Sequence, residues 1–150
     1  MLEEGNYVFG GKNSEGKILN VLKYFPVNAK HYHWKYPNVR GTPPTPRYNH
    51  TTLFYEPLGI LLIYGGKNDT LYGSTNDICL NDIRILNVEQ MAWSPCSSYG
   101  EVPAIGRYHH RVTCFGNKML IFGGIGLHEF ADNDVRSLEL SNFFQNCFLG

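Results

Sequence analysis

Two similar stretches, "GTPPTPRYNH" at residues 41–50 and "GEVPAIGRYHH" at residues 100–110, give the clearest indication of the fold. Each begins with a glycine, passes a proline and ends in Arg-Tyr-x-His. Arg47 and Arg107 are 60 residues apart, and so are His50 and His110. A turn-rich segment that returns at this period predicts an architecture built from repeats.

A second repeated feature is an apolar, β-rich run that ends in Gly-Gly. It occurs as "NYVFGG" (6–11), "LLIYGG" (61–66) and "MLIFGG" (119–124). In the second and third copies a polar loop follows, then Asn-Asp, with the aspartates at Asp82 and Asp134. Residues of alternating polarity come next, which is typical of a strand.

An aromatic residue closes each unit: Trp34, then Trp93, and Phe143 or Phe144 in the third. Each unit therefore predicts four strands. Strand a follows Arg-x-x-His, strand b ends in Gly-Gly, strand c follows Asn-Asp and strand d carries the aromatic residue. Four-stranded units at this period, without helical periodicity, predict an all-β chain forming part of a β-propeller.

The repeat predicts a single propeller segment over residues 1–150, with about 11 antiparallel strands. Blade 1 is partial and covers about 1–40, blade 2 covers about 41–99, and blade 3 covers about 100–150. Closed propellers have about 4–8 blades. We therefore expect the missing blades to come from a longer chain or from self-association.

The combination of Pro, Arg-x-x-His, Gly-Gly, Asn-Asp and Trp resembles the kelch repeat family along nearly the whole chain. Its Gly-x-x-Pro prefix is similar to the repeats of host cell factor-like and Rab-effector-like proteins. It is less similar to kelch adaptors that carry a BTB domain. The resemblance implies four-stranded blades whose b–c and d–a loops share one face of the propeller.

Structural roles follow for the repeated residues. A glycine brings no Cβ into close contacts and tolerates positive φ. We expect the tryptophans to fill wedges between blades, the Asn-Asp pairs to cap strand c, and the arginines to satisfy loop carbonyls. The glycine pairs are Gly10, Gly11, Gly65, Gly66, Gly123 and Gly124.

The composition limits the classes of partner. The chain has 13 basic and 13 acidic residues, so no net charge attracts nucleic acid or an anionic membrane. The cysteines are at least 17 residues apart, so no C-x-x-C pair occurs. Free thiols and the lack of a signal-like N-terminus predict a cytoplasmic protein.

The sequence predicts neither catalysis nor a cofactor. His31 and His33 would share a face of a strand, but no third ligand follows at a spacing that would complete a metal site. Nucleotide-binding and hydrolase motifs do not occur. The alternative is a metal-dependent propeller enzyme, of the galactose oxidase-like or iron-binding specifier kind.

We therefore predict a non-catalytic interaction or scaffold module that binds a protein through its b–c and d–a loops. Propeller loops lie on a rigid framework, where binding residues usually occur. The expected apolar anchors are Tyr72, Leu127 and Phe130, with Arg47 and Arg107 as possible polar contacts. A structural part in a cytoskeletal or ciliary assembly is a further alternative.

Overall fold

The computed structural model describes residues 5–28, 30–31, 33–70, 79–94, 106–126 and 131–148. These residues form short strands, one 3-10 turn at Glu56–Leu58 and a C-terminal helix. The strands are β1 (Gly5–Phe9), β2 (Leu22–Pro26), β3 (Thr51–Tyr55), β4 (Ile60–Tyr64), β5 (Ile83–Asn87), β6 (Ala92–Trp93), β7 (Arg111–Phe115), β8 (Lys118–Ile125) and β9 (Ala131–Glu139), and the helix is α1 (Leu140–Phe148).

The strands form three antiparallel sheets in which sequence neighbours pair. Blade 1 is β1–β2, blade 2 is β3–β4–β5–β6, and blade 3 is β7–β8–β9. Blade 2 shows the complete four-stranded unit, with Leu62 of β4 opposite both Leu53 and Ile85. The predicted all-β, partial propeller fold is therefore confirmed.

Two apolar seams hold the blades together. Alternate residues of β4 point to opposite sides of blade 2, as the pleat of a strand requires. Leu61 and Ile63 join a cluster with Phe9 of blade 1, whereas Leu62 joins a cluster with Met119 of blade 3. Blade 2 is thus buried on both faces.

The last predicted strand is wrong. Instead of a strand at Phe143 or Phe144, the chain forms α1. Leu140, Phe143 and Phe144 have the i, i+3, i+4 spacing of one helical face. All three side chains are buried in the seam between blades 2 and 3. The described residues accordingly contain nine strands rather than about 11.

Trp34 also differs from its predicted role. It is 46% exposed and contacts Phe25 of the same blade, with the ring centroids 5.2 Å apart. Its neighbour Lys35 forms a single bridge to Tyr24, in place of a strand d. Trp93, by contrast, is buried, and its ring lies 5.4 Å from that of Phe9 in blade 1.

Candidate functional site: the Arg-Tyr-x-His joints and the loop face

Each arginine of the repeated turn is buried and binds within its own blade. The side chain of Arg47 is 0% exposed. Its Nη1 donates to the carbonyl of Gly65 at 3.0 Å and to Asp82 Oδ1 at 2.7 Å, while Nη2 donates to Asp82 Oδ2 at 2.9 Å. This two-pronged pairing holds the end of strand b against the start of strand c.

Arg107 makes the equivalent contacts in blade 3. Its Nη1 donates to the carbonyl of Gly123 at 2.8 Å and to Asp134 Oδ1 at 3.0 Å. Asp132 lies 3.6 Å from Nη2, and Arg136 also bonds Asp134. Hydrogen bonds from Arg107 and Arg136 lower the pKa of Asp134 below its usual value.

The main chain of each arginine binds the preceding blade instead. The carbonyl of Arg47 accepts from the amide of Gly11 at 2.8 Å, and its amide donates to Leu19 at 3.1 Å. The carbonyl of Arg107 likewise accepts from Gly66 at 2.9 Å. One residue thus fastens its own blade through its side chain and the preceding blade through its backbone, which makes the turn a joint.

The glycine pairs are required by these joints. A Cβ on Gly10 would come within 2.6 Å of the carbonyl oxygen of Arg47, and one on Gly65 within 2.7 Å of that of Arg107. Both glycines also have positive φ, at 65° and 63°. Side chains are excluded for steric and conformational reasons together.

The histidines of the repeat complete the seams. The ring of His50 lies 5.7 Å from that of Phe9, and the ring of His110 lies 4.9 Å from that of Tyr64. Nε2 of His110 is 2.8 Å from Oγ1 of Thr51. Each histidine therefore contacts an aromatic residue of the blade before it.

Both histidines are neutral at physiological pH. Burial, reinforced by the positive charge of the nearby arginine, lowers the pKa of His50 and that of His110 to about 4. Burial also raises the pKa of Tyr64 to about 12. With these pKa values, His50, His110 and Tyr64 are all uncharged at neutral pH, as suits side chains packed in a seam.

The sequence missed the role of the aspartates. We expected Asp82 and Asp134 to cap strand c, whereas their carboxylates receive the arginine side chains. The signal was present, because every Arg-x-x-His is followed by Asn-Asp in the same unit. Arg47 and Arg107 are at most 1% exposed. Our expectation that they could contact a partner is therefore corrected, because their side chains are bound inside the blades.

A polar and aromatic surface lies beside the joints, at the Gly-Gly ends of the b strands. Lys12 follows the first glycine pair, and its Nζ lies 4.0 Å from the centre of the Tyr48 ring and 3.2 Å from Asp69 Oδ2. The hydroxyl of Tyr48 donates to the same carboxylate at 3.0 Å. We use the name loop face for this surface. It comprises Lys12, Tyr48 and Asp69, together with the pairs Lys67–Tyr108 and Asn49–His109 described below.

The next blade repeats the contact. Lys67 follows the second glycine pair, and its Nζ lies 4.8 Å from the centre of the Tyr108 ring. Lysine over tyrosine is a cation–π contact. The third glycine pair is followed by Ile125, so the series of lysines stops there.

Asn49 and His109 form the third pair of the loop face. Both have positive φ, 55° and 59°, which is uncommon for residues with a side chain. Nδ2 of Asn49 lies 3.1 Å from Nε2 of His109, and the amide of His109 donates to the carbonyl of Asn49 at 3.0 Å. Successive turns therefore touch each other through side chain and backbone.

The predicted apolar anchors Tyr72, Leu127 and Phe130 lie outside the described residues. Among the described residues, no group of three or more His, Cys, Asp or Glu side chains could hold a metal ion. His33 Nδ1 lies 3.1 Å from the carbonyl of His31, a contact between neighbours on an exposed segment. No helix within the described ranges is long and apolar enough to cross a membrane.

The comparison with protein families agrees with this geometry. Residues 1–145 match the model of the KLHDC2/KLHL20/DRC7 Kelch-repeats domain. The chain belongs to the kelch-repeat family. Kelch-repeat domains are typically interaction modules that bind proteins.

Similar proteins include host cell factor of Drosophila melanogaster, 33% identical over 135 residues, with 83% of this chain and 9% of that protein covered. Kelch domain-containing protein 3 of Rattus norvegicus is 34% identical over 124 residues, covering 83% and 30%. The chain thus spans less than a third of these relatives. The solved structure of YjhT, a kelch propeller, superimposes with a TM-score of 0.65 at 16% identity and covers 82% of this chain and 43% of that one.

Proposed function

We propose that this kelch segment is a non-catalytic module that holds a protein partner on the face formed by its b–c and d–a loops. The observation that carries the proposal is that different residues of the repeated turn lie in different places. Both arginines and His110 are buried, and His50 is half-buried. Tyr48, Asn49 and the exposed His109 lie with the lysines on the loop face, whereas Tyr108 is itself buried beside Lys67. The framework therefore fixes the positions of the described loop-face groups.

The chemistry of the loop face suits a protein surface. Tyrosine presents a large rigid contact area at low entropic cost, and aromatic residues often carry interface energy. Lys12 and Asp69 add charges of both signs within 3.2 Å of each other. Such a mixed surface favours a polar partner surface over a uniformly charged polymer.

The two loops predicted to supply apolar anchors adjoin this surface in the sequence. Residues 71–78 follow directly on Asp69 and Thr70, and residues 127–130 follow Ile125 and Gly126. Tyr72, Leu127 and Phe130 remain our proposed anchors. Arg47 and Arg107 are withdrawn from that set because their guanidinium groups bind aspartates.

The proposed compartment is the cytoplasm. Among the described residues, Cys114 forms no disulfide, and free thiols are the usual state of cysteines in a reducing compartment.

The experiment is a capture with the tagged chain followed by reconstitution with the purified partner. Tyr72→Ala, Phe130→Ala and Tyr48→Ala should each weaken binding by about 1 kcal/mol or more. Leu58→Ser is the matched control, since Leu58 is 48% exposed in the turn between β3 and β4, at the opposite ends of the strands. If Leu58→Ser abolishes binding while the loop-face variants bind normally, the wrong face has been chosen.

A further inference from the structure

The turn that enters blade 2 contains two threonines that are each followed by a proline. They are Thr42 and Thr45, in the stretch "GTPPTPR". A third hydroxyl residue of this kind is Ser94, which precedes Pro95. A proline pushes the residue before it into an extended conformation. A serine or threonine before proline is the acceptor of proline-directed kinases, so these three residues differ as acceptors in how the fold presents them.

Thr42 is exposed, whereas Thr45 and Ser94 are half-buried. Gly41 and Pro43, on either side of Thr42, are exposed as well, and the backbone from 42 to 47 belongs to no helix or strand. Its carbonyl accepts an exposed hydrogen bond from Nη2 of Arg84 at 3.3 Å. Among the described residues, none bonds its hydroxyl. Oγ1 of Thr42 is therefore open to an enzyme.

Thr45 is held inside the joint. It lies between Pro44 and Arg47, which are both buried. Its carbonyl accepts from Nε of Arg47 at 3.1 Å, and the carbonyl of Pro46 accepts from Nδ2 of Asn68 at 2.7 Å. This dipeptide could enter the cleft of a kinase only after local unfolding of the joint.

Ser94 is held by the sheet. It follows β6 directly, and its amide donates to the carbonyl of Ile85 in β5 at 2.9 Å. A kinase would have to pull this strand end away from blade 2 before it could reach the hydroxyl. Of the three acceptors, the fold therefore offers Thr42.

An arginine lies beside Thr42 in a position to receive a phosphate. Arg84 is half-buried on β5, and its Nη2 already reaches the backbone of Thr42. Its Nε is buried without a hydrogen-bond partner among the described residues. A guanidinium offers five donors in a fixed fork, which suits the oxygens of a phosphate. Arg40, exposed two residues before Thr42, adds a second positive charge.

We propose that Thr42 is a phosphorylation site for a proline-directed serine/threonine kinase and that Arg84 receives the phosphate. In the reaction, Oγ1 of Thr42 attacks the γ-phosphorus of ATP. The new O–P bond forms as the bond from the γ-phosphorus to the bridging oxygen breaks, ADP leaves, and the hydroxyl proton passes to the base of the kinase. The phosphate adds about −1.5 to −2 charges at pH 7.

The phosphate would fasten a length of chain that lies between two fixed points. Arg40 forms a bridge to Ala92 of β6, and Arg47 forms the joint. A phosphate on Thr42 adds a third attachment, to Arg84 of β5. Charge-assisted bonds of this kind order the segments that carry them. Thr42 is not part of the loop face, so the site does not depend on the proposed partner.

Phosphorylation of the full chain by a purified proline-directed kinase with ATP tests the acceptor. A peptide of residues 37–50 is the unfolded reference, since it contains both threonines without the fold. Mass spectrometry should find phosphate on Thr42 in both samples. Thr45 should be modified at least about tenfold more slowly in the chain than in the peptide, because the joint must first open. Thr42→Ala should remove most of the phosphate that the chain incorporates, whereas Thr45→Ala should remove little.

Phosphorus NMR of the phosphorylated chain tests the role of Arg84. A free phosphothreonine loses its second proton at a pKa of about 6. The charge of Arg84 should lower this pKa, so the resonance should titrate at a lower pH in the chain than in the phosphorylated peptide. Arg84→Met, which keeps an apolar stem, should return the titration toward that of the peptide. Arg111→Gln is the control, because Arg111 is an exposed arginine of blade 3, and it should leave the titration unchanged.

Circular dichroism establishes that the variants fold, with Arg84→Gln as the substitute if Arg84→Met does not. Three results would overturn the proposal. The first is a chain that is modified at Thr45 as readily as at Thr42. The second is a chain or a peptide that is not modified at Thr42. The third is a titration that the loss of Arg84 leaves unchanged, which would show that this arginine does not hold the phosphate.

Discussion

At the scale of the residue, the buried arginine explains why the Arg-Tyr-x-His turn repeats. A guanidinium has five donors in a fixed fork and cannot lose its charge in a protein. Once buried, it needs a carboxylate, and Asp82 supplies one at 2.7 Å to Arg47. The turn is therefore fixed by a charge pair as well as by packing.

Asp82→Ala should destabilise the fold by about 3 kcal/mol or more, because it leaves a fully buried cation without its partner. Asp69→Ala is the matched control. The two carboxylates are similarly exposed, 31% and 32%, but Lys12, the partner of Asp69, is 38% exposed whereas Arg47 is not exposed. An exposed pair contributes about 0–1 kcal/mol. Urea unfolding measures both, and equal losses would contradict the buried role of Arg47.

The seam histidines predict how stability depends on pH. The folded pKa of His50 and of His110 is about 4, below the ordinary value of 6.5. The unfolded chain therefore binds more protons between these values, and the free energy of unfolding should fall as pH is lowered from about 6.5 toward 4. Above about 6.5 the histidine contribution is complete and constant.

The double variant His50→Gln/His110→Gln should flatten this dependence between pH 4 and 6.5, measured by urea titrations at each pH. His31→Gln is the control, because His31 is exposed. A double variant that loses stability over this range as steeply as the wild-type chain would show that the histidines are not buried and neutral.

At the scale of the element, each blade is stabilised by what lies against it. The two tryptophans illustrate this, since they occupy equivalent positions in their repeats. Trp93 touches Phe9 of blade 1, while Trp34 touches Phe25 within its own blade.

Trp93→Ala should cost about 3–5 kcal/mol, since it opens a cavity in a seam. Trp34→Ala should cost much less, because its ring is already 46% exposed. The urea midpoints of the two variants measure the difference. A larger shift for Trp34→Ala would mean that the seam is wrongly placed.

Helix α1 predicts a second contrast. Phe143→Ala should lower stability by about 3 kcal/mol, because the ring is 4% exposed in the seam between blades 2 and 3. Gln145→Ala, on the exposed side of the helix, should change it little. Thermal unfolding of both variants makes the comparison, and similar melting temperatures would argue against the helix.

Much of the fold could be predicted from the sequence. Gly-Gly, Arg-x-x-His and the alternating runs gave blades 2 and 3 because steric and hydrogen-bonding demands act at every repeat. The end of blade 3 could not be read in the same way. Leu140, Phe143 and Phe144 fit a helical face, but short apolar runs are ambiguous, and the seam they fill is formed by residues distant in sequence.

The candidate site was predicted less completely. The sequence predicted that Arg47 and Arg107 bind loop carbonyls, but it missed their aspartate partners, because a bond between residues 35 apart depends on how a blade folds back. Trp34 was misjudged for a related reason. A tryptophan becomes a wedge only when a neighbouring blade covers it, and the repeat pattern does not show which blade ends the stack.

At the scale of the whole molecule, the blades form one continuous stack because each joint binds two of them. Blade 2 packs against a blade on both sides, and most of the large apolar residues that remain exposed lie on blades 1 and 3, with Phe54 and Leu58 of blade 2 as exceptions among the described residues. The loop face is separate from these exposed apolar residues. The proposed partner site and any contact with further blades would therefore use different surfaces.

Hydrogen exchange at the amide of Gly66 tests most directly the claim that the repeated turn joins the blades. This amide donates to the carbonyl of Arg107 across the seam, at 2.9 Å. NMR-detected exchange should show Gly66 protected as strongly as the central strand β4, since both would open only when the stack unfolds. Exchange of Gly66 at the rate of an exposed turn, while β4 stays protected, would contradict the account.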